Sequence, residues 1–242
     1  MNRGFAYGDG FFETVRIVDN MIPLLRYHLH RAKKTAKFLE LRWPNSWDYS
    51  FFSELILKNR SEDENVARLD FYRHDGGLYT PESDKIDYSV SFRKVSDLST
   101  TNFLLDGNWW GNLKSQKKIP TYVLQSWQKP CTPLSCIKST SALFYVKAAL
   151  IAKRNSDLQN IILLNEHGRI CEGLSQNVFY LKDNQWYGIP LTEGPIDGVY
   201  SSYFKSFVDV IETPTTLKAL ESADFIVLTN AVKGLVSISL VR

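Results

Sequence analysis

The chain has three cysteines among 242 residues, Cys131, Cys136 and Cys171. A sparse, odd set excludes a disulfide framework and fits a reducing compartment. Cys131 and Cys136 are not spaced as a zinc pair, and no pair of histidines stands near them, so no metal site is expected. Long apolar runs are absent, which argues against a membrane-spanning helix. Residues 1–10 are polar and glycine-rich, unlike a secretory leader, so the cytoplasm is the default location. Charge of one sign is also lacking: the net charge is +3 and the basic residues are scattered. The densest basic stretch, 26–37, carries apolar residues at helical spacing, so a nucleic-acid partner is not expected. Internal repeats, low-complexity segments, a phosphate-binding glycine loop and a serine elbow are missing as well.

What is present is ample material for a core: 44% of residues are hydrophobic and 13% aromatic. Residues 11–18 alternate and read as a strand, Asp19-Asn20 as a turn, and 21–26 as a returning hairpin partner. Leu29, Ala32, Ala36 and Leu39 give 28–41 a helical pattern that Pro44 is expected to end. A second helix follows over 50–58, then strands at 66–72 and 88–94. Between these strands, residues 74–81 read as a loop. Residues 96–112 carry few regular signals. Downstream, 121–125 reads as a strand, and 140–154 as a helix with Leu143, Val146, Ala149 and Leu150 on its apolar face. Strands follow at 161–164 and within 170–181, then a helix over 198–210 and a strand at 225–229 with another at the end. The fold class is α+β, in two domains: 1–100 as an N-terminal α/β layer, 101–112 as a linker and 113–242 as a C-terminal domain.

The candidate chemistry lies in an ordered set: Tyr7-Gly8-Asp9-Gly10-Phe11-Phe12-Glu13-Thr14, then His28-x-x-Arg31, then Lys138 ahead of a helix. Glu172-Gly173-Leu174-Ser175-Gln176-Asn177-Val178-Phe179, Gly198-Val199-Tyr200 and Thr229-Asn230-Ala231 complete it. This set resembles the class IV, fold type IV, pyridoxal-phosphate (PLP) enzymes over nearly the whole chain. That family contains branched-chain aminotransferases, D-amino-acid aminotransferases and aminodeoxychorismate lyases. The resemblance implies a barrel-like C-terminal domain with PLP in the cleft between the two domains, an amino-acid-like substrate and a homodimer.

The resemblance also implies roles. Lys138 is the Schiff-base lysine, and apolar surroundings suit a nucleophilic amine. Glu172 pairs with the pyridine nitrogen, which keeps the ring an electron sink. Arg31 offers a bidentate fork to the phosphate, completed by backbone N–H groups of Val199 and Tyr200 and at Asn230-Ala231. Tyr200 stands where relatives often have a threonine. Asn177 supports its loop rather than the chemistry. Phe12, Thr14 and Arg16 share one face of a strand. If that face lines the cleft, Arg16 binds a substrate carboxylate; if the other does, Glu13 and Val15 line it instead. Arg73 is a further carboxylate candidate, and residues 74–81 are the loop that would reach a partner subunit's site.

The reaction is read by elimination. D-amino-acid aminotransferases usually carry a tyrosine at the place of Phe12 and an Arg-x-His trap that is not evident here. Branched-chain enzymes usually have a tyrosine five residues after the lysine, where this chain has Leu143. The expectation is therefore aminodeoxychorismate lyase, with an aminotransferase as the alternative and a non-catalytic small-molecule-binding relative as a second. The family also has about one more strand before the Gly-Asp-Gly run; a sheet without it would offer an open edge to another chain.

Overall fold

Gly10–Arg16 forms strand β1, and its alternation decides the first half of the molecule: Phe11, Glu13 and Val15 are buried while Phe12 and Thr14 are half-buried. The computed structural model describes residues 2–96, 98, 103–155 and 160–241. Two compact units emerge, one of residues 1–98 with 137–141, the other of 99–136 with 142–242.

In the first unit a five-residue helix, α1 (Arg3–Tyr7), precedes β1. Helices α2 (Leu25–Phe38) and α3 (Tyr49–Asn59) follow, then strands β2 (Val66–Arg73) and β3 (Ile86–Arg93). The strands form one antiparallel sheet in the order β1-β2-β3. Its odd-numbered β1 side chains pack with Leu69, Phe71 and Val90 onto α2 and α3. Asp48 caps α3 through the Phe51 N–H at 2.9 Å. The expected hairpin after Asp19-Asn20 shrinks to a single Val18–Met21 bridge, because helix α2 already begins at Leu25. That helix also ends well before Pro44: Glu40 turns left-handed at φ 55°, breaking the helical run.

The outer edge of β1 is partly covered from far along the chain. Phe12 N–H donates to the Lys138 carbonyl at 3.0 Å, and Thr140 N–H donates to the Gly10 carbonyl at 2.9 Å. Phe11 and Ser139 form the bridge between them. A side chain at Gly10 would place its Cβ 2.4 Å from the Phe71 carbonyl, so only glycine lets β2 approach there.

In the second unit the order is α4 (Trp109–Ser115), β4 (Ile119–Lys129), α5 (Leu143–Asn155), β5 (Asn160–Asn165), β6 (Ile170–Gly173), β7 (Asn177–Lys182) and β8 (Gln185–Gly188). Helix α6 (Val199–Lys205), β9 (Val210–Glu212), α7 (Leu217–Glu221), β10 (Phe225–Asn230) and β11 (Gly234–Val241) follow. One eight-stranded sheet runs β6-β5-β4-β11-β10-β7-β8-β9. Strands β6 and β7 lie five places apart in it, about 24 Å if flat. Yet only residues 174–176 join them, a reach of about 14 Å at full extension. The sheet must therefore curl, which is the barrel-like domain the resemblance implied.

Alternation along β5 feeds two cores. Ile162 and Leu164 join Val178, Leu228 and Ile238, while Ile161 and Leu163 meet Ala148 and Ala152 of α5. This reverses the expected face of α5: Leu143, Val146 and Leu150 are exposed, and the small alanines make the close contact. The segment expected to lack regular structure contributes too. Residues 109–115 are helical, and Phe103 and Leu105 are buried, with Tyr200 Oη donating to the Phe103 carbonyl at 2.8 Å and Leu105 N–H donating to Tyr203 Oη at 2.9 Å.

Candidate active site

Lys138 lies on the segment bridged to β1, five residues ahead of α5, within the first unit. Its Nζ stands 4.4 Å from the centre of the Phe12 ring. The Arg68 guanidinium lies 3.7 Å from the same ring centre and makes a forked pair with Asp70, at 2.9 and 2.7 Å to Oδ1. Register puts Arg68 opposite Thr14 and Asp70 opposite Phe12, so these side chains share the sheet face away from α2 and α3. The open choice of register is thereby resolved: Phe12, not Glu13, accompanies Lys138.

Glu13 turns to the helices, where it meets the His28-x-x-Arg31 pair. His28 Nδ1 lies 2.6 Å from Glu13 Oε2, Arg31 Nε donates to Oε1 at 2.8 Å, and Arg31 Nη2 donates to Oε2. Burial works to raise the Glu13 pKa, but the Arg31 charge and the His28 and Arg31 hydrogen bonds outweigh it and hold the carboxyl at about 2. Burial pushes the His28 pKa down, so its imidazole is neutral, with Nδ1–H donating. Its Nε2 is buried and meets no partner among the described residues.

The second unit contains a parallel arrangement that sequence reasoning missed in part. Glu172, on β6, is buried and ion-paired with buried Lys129 from the end of β4. Tyr145 Oη donates to Glu172 Oε1 at 2.7 Å, and Ile196 N–H donates to Oε2 at 3.0 Å. Lys129 also donates to the Ser135 carbonyl at 3.0 Å and stands 5.2 Å from the Tyr145 ring centre. Burial, then the Glu172 charge, raises the Tyr145 pKa far above its ordinary value, so the phenol remains a donor. Tyr145 stands seven residues after Lys138, so the tyrosine missing at Leu143 has a counterpart two residues on. The signal in the sequence was a lysine at the end of an apolar strand, a place where burial demands a partner.

The family model described as amino-transferase class IV matches residues 10–241. The chain belongs to that family. It is an enzyme family dependent on pyridoxal phosphate. Among curated relatives, the aminodeoxychorismate lyase of Bacillus subtilis is 28% identical over 96% of this chain and 77% of its own length. The D-alanine aminotransferase of Bacillus licheniformis is 27% identical over 82% of this chain and 65% of its own. Among solved structures, the 4-amino-4-deoxychorismate lyase of Pseudomonas aeruginosa aligns with a TM-score of 0.79 at 21% identity, over 99% of this chain and 85% of that one. The branched-chain aminotransferase of Escherichia coli gives 0.79 at 21%, over 100% and 80%. Both structures show the class IV fold.

The remaining predicted residues divide clearly. Asn177 Nδ2 donates to the Ile196 carbonyl at 2.8 Å, and its Oδ1 lies where a Cβ on Gly198 would be, 1.8 Å away. It thus shapes the loop that enters α6. Val199 and Tyr200 open that helix, whose first-turn amides have no partner inside it. Asn230 folds the β10–β11 turn, its Oδ1 accepting from Val232 N–H at 3.0 Å and Lys233 N–H at 2.7 Å, with Ala231 between. Arg73 is buried and committed to protein acceptors: Asp9 at 2.9 Å, the Ser83 carbonyl at 3.1 Å and the Leu39 carbonyl at 2.5 Å. That commitment argues against the carboxylate role first given to it. Arg16 is buried, with Nη2 donating to the Leu98 carbonyl at 3.3 Å. The 74–81 loop is tied to its own chain, as Arg3 Nη1 donates to the carbonyls of Gly76, Gly77 and Leu78 at 2.9, 3.0 and 2.8 Å. A groove of about 730 Å³ in the second unit is lined by residues such as Tyr122, Phe225 and Leu240, and by none of these candidates. No helix among the described residues is long and apolar enough to cross a membrane.

Proposed function

We propose that this chain is a PLP-dependent 4-amino-4-deoxychorismate lyase that forms 4-aminobenzoate and pyruvate, with Lys138 as the lysine bonded to the cofactor. The carrying observation is the ring of Phe12 beneath Lys138. The ring face holds the Lys138 amine in place, since its quadrupole attracts an ammonium. Phe12 also brings no hydroxyl to the place where D-amino-acid aminotransferases use one. Lyases among the relatives and among the structural neighbours support the same reading.

Both units fit the cofactor's chemistry. A carboxylate has about four lone-pair sites. At Glu172 Lys129, Tyr145 and Ile196 occupy three, which leaves one for a ring N–H. In the first unit Arg31, which Glu13 orients, is the residue read as holding the phosphate. In the second unit, the backbone N–H groups of Val199 and Tyr200 at the start of α6, with those of the Asn230-Ala231 turn, are the ones read as suited to an anion. Bound PLP supplies an electron sink for charge that develops on the substrate carbon. Lys138 takes the proton from the carbon bearing the amine, pyruvate leaves, and the substrate ring becomes aromatic. Glu13 holds Arg31 in orientation, while Lys129 and Tyr145 hold Glu172.

One observation favours the aminotransferase reading: Tyr145 places a phenol on Glu172, which weakens the argument from Leu143. The test has two stages. Borohydride reduction of the protein with PLP should label Lys138, and a labelled peptide elsewhere would end the assignment. Incubation with aminodeoxychorismate should then release 4-aminobenzoate and pyruvate. If Lys138 is labelled but neither product forms, and an amino acid instead shifts the cofactor spectrum to its amine form, the transaminase reading replaces the lyase.

A further inference from the structure

Three side chains that the PLP site does not use meet at the far end of β4 and β5. These strands run parallel, with Lys129 opposite Asn165 at their ends. The chain leaves β4 through Pro130 to Cys131, and leaves β5 through the tight turn Glu166-His167-Gly168. Asn165, fully buried, builds that turn: its Oδ1 accepts from His167 N–H at 3.1 Å and Arg169 N–H at 3.0 Å. Gly168 closes the turn at φ 71°. Two hydrogen bonds fasten it to the other strand: Glu166 N–H donates to the Lys129 carbonyl at 2.9 Å, and Cys131 N–H donates to Glu166 Oε1 at 2.7 Å. Behind it, buried Glu193 holds Asn165 Nδ2 at 2.6 Å and pairs with Arg169. The outcome is a rigid frame from which Cys131, Glu166 and His167 project, their ligating atoms all within 4.8 Å of one another.

We infer that Cys131, Glu166 and His167 bind one divalent cation of the zinc class. The donor set is a thiolate, an imidazole and a carboxylate, which borderline-soft ions accept and hard ions such as magnesium or calcium do not. Tetrahedral bonds of about 2.0–2.3 Å put ligand atoms about 3.5 Å apart, so closing the set needs side-chain rotation of about an ångström, with water as the fourth ligand. Thiolate and carboxylate together neutralise the ion. The frame is held by the Asn165 and Glu193 side chains and by backbone bonds, with the Glu166 carboxylate adding one to Cys131 N–H, so the ion does not have to order a loop to bind. The two cysteines of the sequence pattern are not the pair. Cys136 donates instead to the Leu191 carbonyl at 3.3 Å. The partners of Cys131 come from the turn after β5, 35 residues away in the case of Glu166.

The test uses the full-length, tag-free protein, stripped of metal and then titrated with Co²⁺, with Zn²⁺ as competitor. One Co²⁺ per chain should bind with the visible bands of a tetrahedral thiolate site, and Zn²⁺ should displace it. Cys131→Ser should abolish the bands. His167→Ala should weaken binding at least the roughly tenfold that loss of even an outer-shell partner gives. Cys136→Ser should change nothing. Zn²⁺ should also slow alkylation of Cys131 but not of Cys136, read by mass spectrometry. All three changes sit at exposed or half-exposed positions, so each variant should fold. Wild-type protein without the bands, or Cys131→Ser retaining them, overturns the inference. Neither result bears on Lys138 or on PLP.

Discussion

Glu13 and Glu172 are both buried, each with one cation and one uncharged ring donor: Arg31 and His28 for the first, Lys129 and Tyr145 for the second. The difference lies in the cation. Arg31 grips both oxygens of Glu13 with a planar fork, while Lys129 meets a single oxygen of Glu172 as a point charge. Fork geometry fixes a side chain's orientation, whereas a point charge supplies countercharge without fixing one. Among the described residues each carboxylate takes three donors in all, the third at Glu172 being the Ile196 N–H. Glu13 is thus suited to hold Arg31 in place, while Glu172 is held by three separate groups.

The comparison can be broken from either side. Lys138→Ala should cost most, on the order of 10²–10⁴ in turnover, the range for a positioned acid–base group. It tests whether the half that carries Glu13 also carries the reacting amine, and reductive labelling should vanish with it. Glu13→Gln should destabilise the fold by about 3–5 kcal/mol, because it removes the countercharge from a largely covered guanidinium; urea unfolding reads this. Glu172→Gln should keep PLP bound but slow turnover by about 10²-fold, the loss of one aimed electrostatic group. If Glu172→Gln lost only stability and no turnover, the two carboxylates would be alike and the distinction would fail. Lys129→Met alone should be destabilising, and pairing it with Glu172→Gln should recover much of the loss, since an uncompensated buried charge is then avoided.

Acid sharpens the contrast further. Glu13 is held at about 2 against an ordinary 4.5, so its stabilisation is complete above pH 4.5 and is lost as pH falls toward 2. That shift corresponds to about 3 kcal/mol. His28, whose pKa burial depresses below 6.5, adds a loss that begins as pH falls below 6.5. Unfolding at pH 7, 5.5 and 4 should show this slope, flatter in Glu13→Gln below pH 4.5. The smallest effect is expected at Gly198→Ala, about 1–3 kcal/mol from overpacking against Asn177, with weaker PLP binding as its second readout.

Much of this was legible in the chain. The alternation of β1 and the helical spacing of α2 were legible because each is a local pattern with a period, although α2 runs three residues earlier than read; the single strand read within 170–181 is two, β6 and β7. Lys138, Arg31 and Glu172 were singled out through the ordered run of motifs, and their roles stand as proposals. The face of α5 was not. Leu143, Val146 and Leu150 look like a core stripe, but Ala148 and Ala152 permit the closer approach to β4 and β5. Arg73 looked like a substrate residue until its acceptors proved to be Asp9 and three backbone carbonyls. Its fate depends on where distant segments end, which no window of sequence records.

By itself, then, the sequence determined the family's residue types, their order and the periodicities that make two sheet-bearing units. Tertiary structure alone decided who meets whom. Lys129 reaches Glu172 across 43 residues, since β4 pairs parallel with β5 and β5 antiparallel with β6. Lys138 reaches Phe12 by bridging the edge of a strand more than a hundred residues earlier. Such pairings are set by strand register and by the burial that forbids a lone charge, and both exist only once the chain has folded.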